Sequence, residues 1–319
     1  MIFDYYMPTE IVFGAGRVAE TGKYAAKYGK KALLVTGASG AKRPVVKKIL
    51  ESLKEAGVEA IIFDGVVPNP TVDSVHKGAV IAESEHVDMV IGVGGGSSID
   101  TAKAIAVEAV NEGSAWDYLF YKKKDLKGCL PVIAVGTTAG TGSQTTMIAV
   151  VTNSDDSDKS AICYRDIFPK VAIVDPETQD SMPASVTAQT GFDAFCHNFE
   201  SFISVKDSYL CDALALDAIK RIFKYLPMAI KDGSDMEART QMAWADTLGG
   251  ITNTCCGTTL PHGLGMQIGG HYPEITHGQS LAIVYPEFLN STRPFAVKKF
   301  AETARAIDAS ASEMDDEEA

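Results

Sequence analysis

The sequence is poor in histidine and tryptophan, with 6 and 2 residues in 319, and poor in basic charge, with 29 lysines and arginines against 41 acids. A net charge of −12 and a pI near 5.0 leave no basic surface of the kind that nucleic acid or an anionic membrane requires, so neither is an expected partner. No apolar run approaches the roughly 18 residues of a membrane span, and the opening MIFDYYMPTE lacks the apolar stretch of a signal peptide. The six cysteines (Cys129, Cys163, Cys196, Cys211, Cys255, Cys256) form no CxxC pair. Free thiols in an acidic chain point to a cytoplasmic enzyme.

What is present suffices for a large core and two domains. Up to about residue 180, short apolar runs alternate with helical patterns: runs at 32–36, 60–63, 87–93, 130–135 and 170–174, helices at 44–56 and 74–85. That alternation predicts a parallel sheet with helices on both faces. From Pro183 the character changes. Segments 184–202, 207–225, 236–253 and 294–307 read as helices with no comparable strand between them, so an α/β domain over 1–180 and a helical domain over 181–319 are expected.

Two loops in the first half are built for a polar ligand. GGGSSIDTAK at 94–103 follows a strand and opens a helix, so its glycines let backbone approach an anion while Ser97 and Ser98 sit at the positive helix end. GTTAGTGSQTT at 136–146 follows the next apolar run and is equally rich in glycine and small hydroxyls. Either loop alone fits plain packing. Two of them at the carboxyl ends of parallel strands indicate a phosphate-bearing ligand. Lys159, after the acidic run SDDSD, is either a further phosphate contact or a solvated surface lysine.

In the second half, GFDAFCHNFE at 191–200 places Asp193 and His197 four apart, on one face of a helix. Asp193 as a helix N-cap is the rival reading, although a capping box would want Glu or Gln where Cys196 stands. Three of the six histidines, His262, His271 and His277, follow in one glycine-rich stretch, expected as a helix end and a returning loop. One carboxylate and three imidazoles (Asp193, His197, His262, His277) would suit ferrous iron or zinc rather than calcium or magnesium. Glu200, on the same helical face, is a candidate support for a ligand or a surface salt-bridge partner. Phosphate candidates in one half and metal candidates in the other predict chemistry in a cleft between them.

Taken together, FDYYMPTEIVFGAG, PNPT at 68–71, GGGSSIDTAK, TTAGTGS, GFDAFCHNFE and the histidine block resemble, in order and over essentially the whole chain, the iron-containing (group III) alcohol dehydrogenases. The resemblance implies a Rossmann-like dinucleotide-binding domain followed by an all-α metal-binding domain, within the dehydroquinate synthase-like superfamily. It implies hydride transfer between a nicotinamide cofactor and a small alcohol or aldehyde held by a metal ion, Fe2+ or, by the donor set, Zn2+. Carried over, the ligands fall on Asp193, His197, His262 and His277, and cofactor contacts on Gly37, Asn69, Gly95, Gly96, Ser97, Thr137, Thr138, Thr141 and Lys159. His271 becomes a candidate proton relay, and a homo-oligomer, a dimer, is expected.

Departures from the family pattern also carry information. Where many members have a histidine four residues after the first ligand of the histidine block, this chain has Met266. Members favouring NAD often carry an acid just after the first strand; here stand Gly37, Ala38 and Ser39, with Lys42 and Arg43 nearby, which favours NADP over NAD. Members usually run some tens of residues further, so C-terminal helices are expected beyond residue 319. The alternatives are a non-redox lyase of the same fold, of the dehydroquinate-synthase kind, and a catalytically inactive truncated form.

Overall fold

The computed structural model describes residues 2–122 and 124–319. They form two compact units: Met7–Thr138 with Ser143–Gln179, and Asp180–Ala319 joined by the N-terminal residues through Tyr6 and by Ala139–Gly142.

The first unit is α/β. Its elements are β1 (Glu10–Phe13), α1 (Thr21–Ala25), β2 (Lys31–Gly37), α2 (Pro44–Glu55), β3 (Glu59–Val66), α3 (Val72–Ser84), β4 (Met89–Gly94), α4 (Gly96–Glu108), β5 (Val132–Gly136), β6 (Ile148–Asn153), β7 (Asp158–Cys163) and β8 (Val171–Val174). Six strands form one sheet in the order β1-β8-β5-β4-β2-β3, with every pairing parallel. Alternation along β2 explains why both faces are covered. Leu33 and Val35 enter a core with Val75, Val90, Ile105 and Val132, while Ala32 and Leu34 enter another with Ile49, Leu53, Met89 and Ile91. In α2, Pro44 occupies the first turn, where a missing N–H costs nothing, and Val45, Val46, Ile49 and Leu53 are its buried face.

The topology locates the ligand-binding end of the sheet. The chain runs from β2 outward to β3 and returns across β2 to β4, so strand order reverses between β2 and β4. At such a switch point two neighbouring loops diverge and leave a crevice at the carboxyl ends. Register makes those ends coincide: Gly94 of β4 pairs with Gly136 of β5, and Val35 with Gly92. The antiparallel hairpin β6–β7, which strand-and-helix alternation did not anticipate, turns through the acidic run 154–157. Lys159 lies on β7 and is 5% exposed, so it is not a solvated surface lysine.

The second unit contains α5 (Ala184–Ile203), α6 (Tyr209–Lys231), α7 (Met236–Cys256), α8 (Leu260–His271), α9 (His277–Thr292) and α10 (Val297–Ile307). The helix end and loop expected over 260–286 are instead two helices. Pro261 sits in the first turn of α8, and Thr276 caps α9 through a reciprocal capping box with Gln279. Two of the glycines there serve helix packing rather than a turn: a Cβ on Gly278 would lie 2.5 Å from the Gln189 carbonyl of α5, and one on Gly265 would lie 3.1 Å from Ser280 Oγ of α9. Cys196, Phe199, Ile219, Leu281, Tyr285 and Phe288 form the apolar core joining α5, α6 and α9. Among the described residues no helix is long and apolar enough to cross a membrane.

Candidate functional site

Helix α5 carries two faces of opposite character. Phe192, Phe195 and Phe199 pack with Tyr285 in an aromatic cluster. Asp193, His197 and Glu200, spaced four and three apart, share another face and are all buried. Asp193 lies deep inside a helix whose N-cap is Pro183, which disposes of the N-cap reading.

Helices α8 and α9 bring two histidines to Asp193. His262 Nε2 lies 3.4 Å, and His277 Nε2 3.6 Å, from Asp193 Oδ1. One ligand atom from each of Asp193, His262 and His277 falls within 4.8 Å of the others. His197 stands at the edge of this group, with Nδ1 3.6 Å from Asp193 Oδ1 and its ring 4.4 Å from that of His262. Asp193 Oδ1 and His262 Nε2 are buried and have no hydrogen-bond partner. Two buried polar atoms 3.4 Å apart, neither hydrogen-bonded, are costly unless a ligand satisfies both. The mixed oxygen and imidazole donors fit a divalent transition ion.

The electrostatics fit as well. Burial by itself would raise the Asp193 carboxyl, but His197, His277 and His262 around it outweigh that and hold it at about 2. Burial would push the His262 imidazole down, yet the Glu200 and Asp193 carboxylates on either side raise it to about 9. For His197 burial wins, and its pKa falls below the ordinary histidine value.

His262 has the ring nitrogen away from Asp193 committed, and His197 has its Nδ1 committed. His262 Nδ1 meets Glu200 Oε1 at 2.8 Å, while Glu200 Oε2 accepts from the Thr259 N–H at 2.7 Å and from its hydroxyl at 3.2 Å. Glu200, fully buried, thus ties down both the start of α8 and the ring it carries, which settles against a surface salt bridge. His197 Nδ1 meets the Gly140 carbonyl at 3.1 Å. His271, the exposed last residue of α8, is outside the cluster, about 13 Å beyond His262 along the helix by its rise.

In the α/β unit, Gly95 caps α4, and Gly96 and Ser97 occupy its first turn, where N–H groups point out of the helix end. The approach is close enough to demand glycine. At Gly94, with φ of 150°, an added Cβ would meet Ser98 Oγ at 2.3 Å; at Gly95 it would meet Thr138 at 3.1 Å. The Thr137 N–H donates to the Gly94 carbonyl at 2.8 Å, holding the two loops together. Gly37 ends β2 at the switch point, and Arg43 donates to Thr137 Oγ1 at 3.4 Å. Asn69, with a left-handed φ of 52°, accepts from Lys159 Nζ at 2.7 Å. Thr141, grouped by sequence with Thr137 and Thr138, lies in the segment that packs with the helical unit.

A family model described as iron-containing alcohol dehydrogenase matches residues 8–176, and one for the C-terminal region of the Fe-containing alcohol dehydrogenase family matches 187–319. The chain belongs to the iron-containing alcohol dehydrogenase family. It is 36% identical over 305 residues to the NAD-dependent methanol dehydrogenase of Bacillus methanolicus, covering 95% of this chain and 80% of that protein. It is 39% identical over 318 residues to the choline dehydrogenase of Bacillus subtilis (strain 168), covering 99% and 79%. The crystal structure of an archaeal halo-thermophilic Red Sea brine pool alcohol dehydrogenase superposes with a TM-score of 0.93 at 38% identity, over 96% of this chain and 80% of that one. Family membership places the six-stranded parallel sheet and the helical unit in one enzyme architecture. The relatives' names span different alcohols.

Proposed function

We propose that the protein is a metal-dependent alcohol dehydrogenase or aldehyde reductase that uses a nicotinamide dinucleotide. The observation that carries this reading is the pair of buried, unsatisfied atoms Asp193 Oδ1 and His262 Nε2, in a chain of this family. Asp193, His262 and His277, with His197 beside them, are the residues that would hold Fe2+ or Zn2+. A divalent ion bound there supplies Lewis-acid polarisation of the substrate oxygen. The chain's own contributions are distinct from the ion's. Asp193, ionised down to about 2, brings the negative charge that draws the ion. Glu200 orients His262, and the aromatic face of α5 fixes the helix that carries Asp193 and His197.

For the cofactor, Gly95, Gly96, Ser97, Thr137 and Thr138 are assigned to the pyrophosphate region, where helix-end N–H groups suit an anion. Asn69, Lys159 and Thr141 are assigned as further contacts, and Gly37 as the position beside the adenosine ribose. Gly37 in place of an acid, with Lys42 and Arg43 close in sequence, supports NADP. The methanol dehydrogenase relative is NAD-dependent by name, which does not. His271 receives no role.

The test is metal-stripped protein reloaded with Fe2+ or Zn2+, assayed with NADH and NADPH against a panel of aldehydes. H262A is expected to lose both bound metal and turnover. Full activity of the metal-free protein overturns the reading. Failure to accumulate reduced cofactor from any simple alcohol favours the lyase alternative.

A further inference from the structure

Asp246 lies within α7 and is 2% exposed. Its Oδ1 accepts hydrogen bonds from the backbone N–H groups of Gly140 and Gly142, both at 2.7 Å. Those two N–H groups belong to the peptide planes before Gly140 and before Gly142. The plane between them carries the Gly140 carbonyl, which meets His197 Nδ1 at 3.1 Å. One carboxylate oxygen therefore grips a turn at two points and leaves its middle carbonyl aimed at the histidine. Two backbone donors at 2.7 Å on one buried side-chain oxygen fix the turn to α7.

The turn is closely packed. Gly142 has a left-handed φ of 59°. A Cβ there would lie 2.4 Å from Gly250 N of α7, and one on Gly140 would lie 2.5 Å from the Thr190 carbonyl of α5. Glycines at 140 and 142 thus let the backbone wedge between α5 and α7, and Asp246 fixes it there. An imidazole that donates from Nδ1 to a carbonyl keeps its lone pair on Nε2.

We propose that Asp246 is a positioning residue for the metal centre: by holding the turn 139–142 it aims the Gly140 carbonyl at His197 Nδ1 and keeps His197 in the tautomer whose Nε2 takes a metal ion. Asp246 touches neither ion nor substrate in this scheme. His197 then has a backbone carbonyl on Nδ1, where His262 has Glu200, with Asp246 as the acid one step further back. Outer partners of this kind typically govern metal affinity by about 10- to 100-fold. The proposal rests on the reading of His197 as a ligand, and its test separates the two.

Metal-free protein is titrated with Zn2+ in competition with a chromogenic chelator, for the wild type, H197A, D246A, D246N and the H197A/D246A double variant. H197A is expected to weaken Zn2+, and D246A to weaken it by about tenfold or more. D246N, which keeps an acceptor oxygen, should fall between D246A and the wild type. In the H197A background D246A should cause no further loss, because its effect passes through His197. An equal loss from D246A with and without His197 overturns the proposal and leaves the ligand reading standing. Unchanged affinity in H197A overturns the ligand reading, and the proposal with it. Should D246A not fold, ring 15N shifts of His197 in metal-free wild type decide: the Nδ1–H form is expected, and an Nε2–H form overturns the proposal.

Discussion

His262 donates from Nδ1 to the Glu200 carboxylate at 2.8 Å, on the side of the ring away from Asp193, whose Oδ1 lies 3.4 Å from Nε2. The same Glu200 holds the Thr259 N–H at the start of α8, so one acid fixes both the ring and the backbone beneath it. E200A should weaken Zn2+ binding to metal-free protein by about 10- to 100-fold. E200Q, which retains an oxygen for His262 Nδ1 but not the charge, should lose less. Chelator-competition titration checks both, and wild-type affinity in E200A would remove Glu200 from the metal centre.

The raised His262 fixes a pH trend for the metal-free protein. Its folded pKa of about 9 is above the ordinary 6.5, so the stability it contributes is fully present below 6.5 and is lost as pH rises through 9. Urea denaturation of stripped protein should show stability declining across that window, by up to about 3 kcal/mol, and H262A should flatten the decline. Ion binding should run the other way, with Zn2+ affinity increasing over the same window because the ion displaces the proton. A metal-free protein whose stability rises from pH 6.5 to 9 contradicts this account.

Cofactor preference is testable at the end of β2. Gly37 has no positive φ, and a Cβ there would meet only the Val66 carbonyl at 3.4 Å, so a side chain fits. G37D should place a carboxylate where it bonds ribose hydroxyls and repels a 2′-phosphate. The ratio of kcat/KM for NADPH to that for NADH should fall at least about tenfold, the equivalent of 1.4 kcal/mol. An unchanged ratio would mean that the ribose lies elsewhere.

Much of the architecture could be read from periodicity. Buried parallel strands are short apolar runs, and β2, β4, β5 and β8 all read that way, the first three ending in glycine. The hairpin β6–β7 did not, because an acidic turn between weakly alternating segments resembles a loop. Helices α8 and α9 were hidden by glycine, which in LPHGLGMQIGGH signals a turn locally, whereas Gly265 permits close packing against α9. Asp246 carries no local signal at all: its partners are more than a hundred residues away in sequence. Only the unusual density of glycine at 140 and 142 hinted that backbone is squeezed there.

The sequence by itself determined the spacing of Asp193, His197 and Glu200, because helical geometry alone puts positions four and seven apart on one face. It also determined the glycine loop at the mouth of α4, since a helix start after a buried strand exposes N–H groups whatever surrounds it. Tertiary structure decided the rest. Packing chose burial over an N-cap for Asp193, brought His262 and His277 within reach of it, and set Glu200 behind one ring and the Gly140 carbonyl behind another. Those outcomes depend on which helices touch, and contact between distant segments is not encoded in any local period.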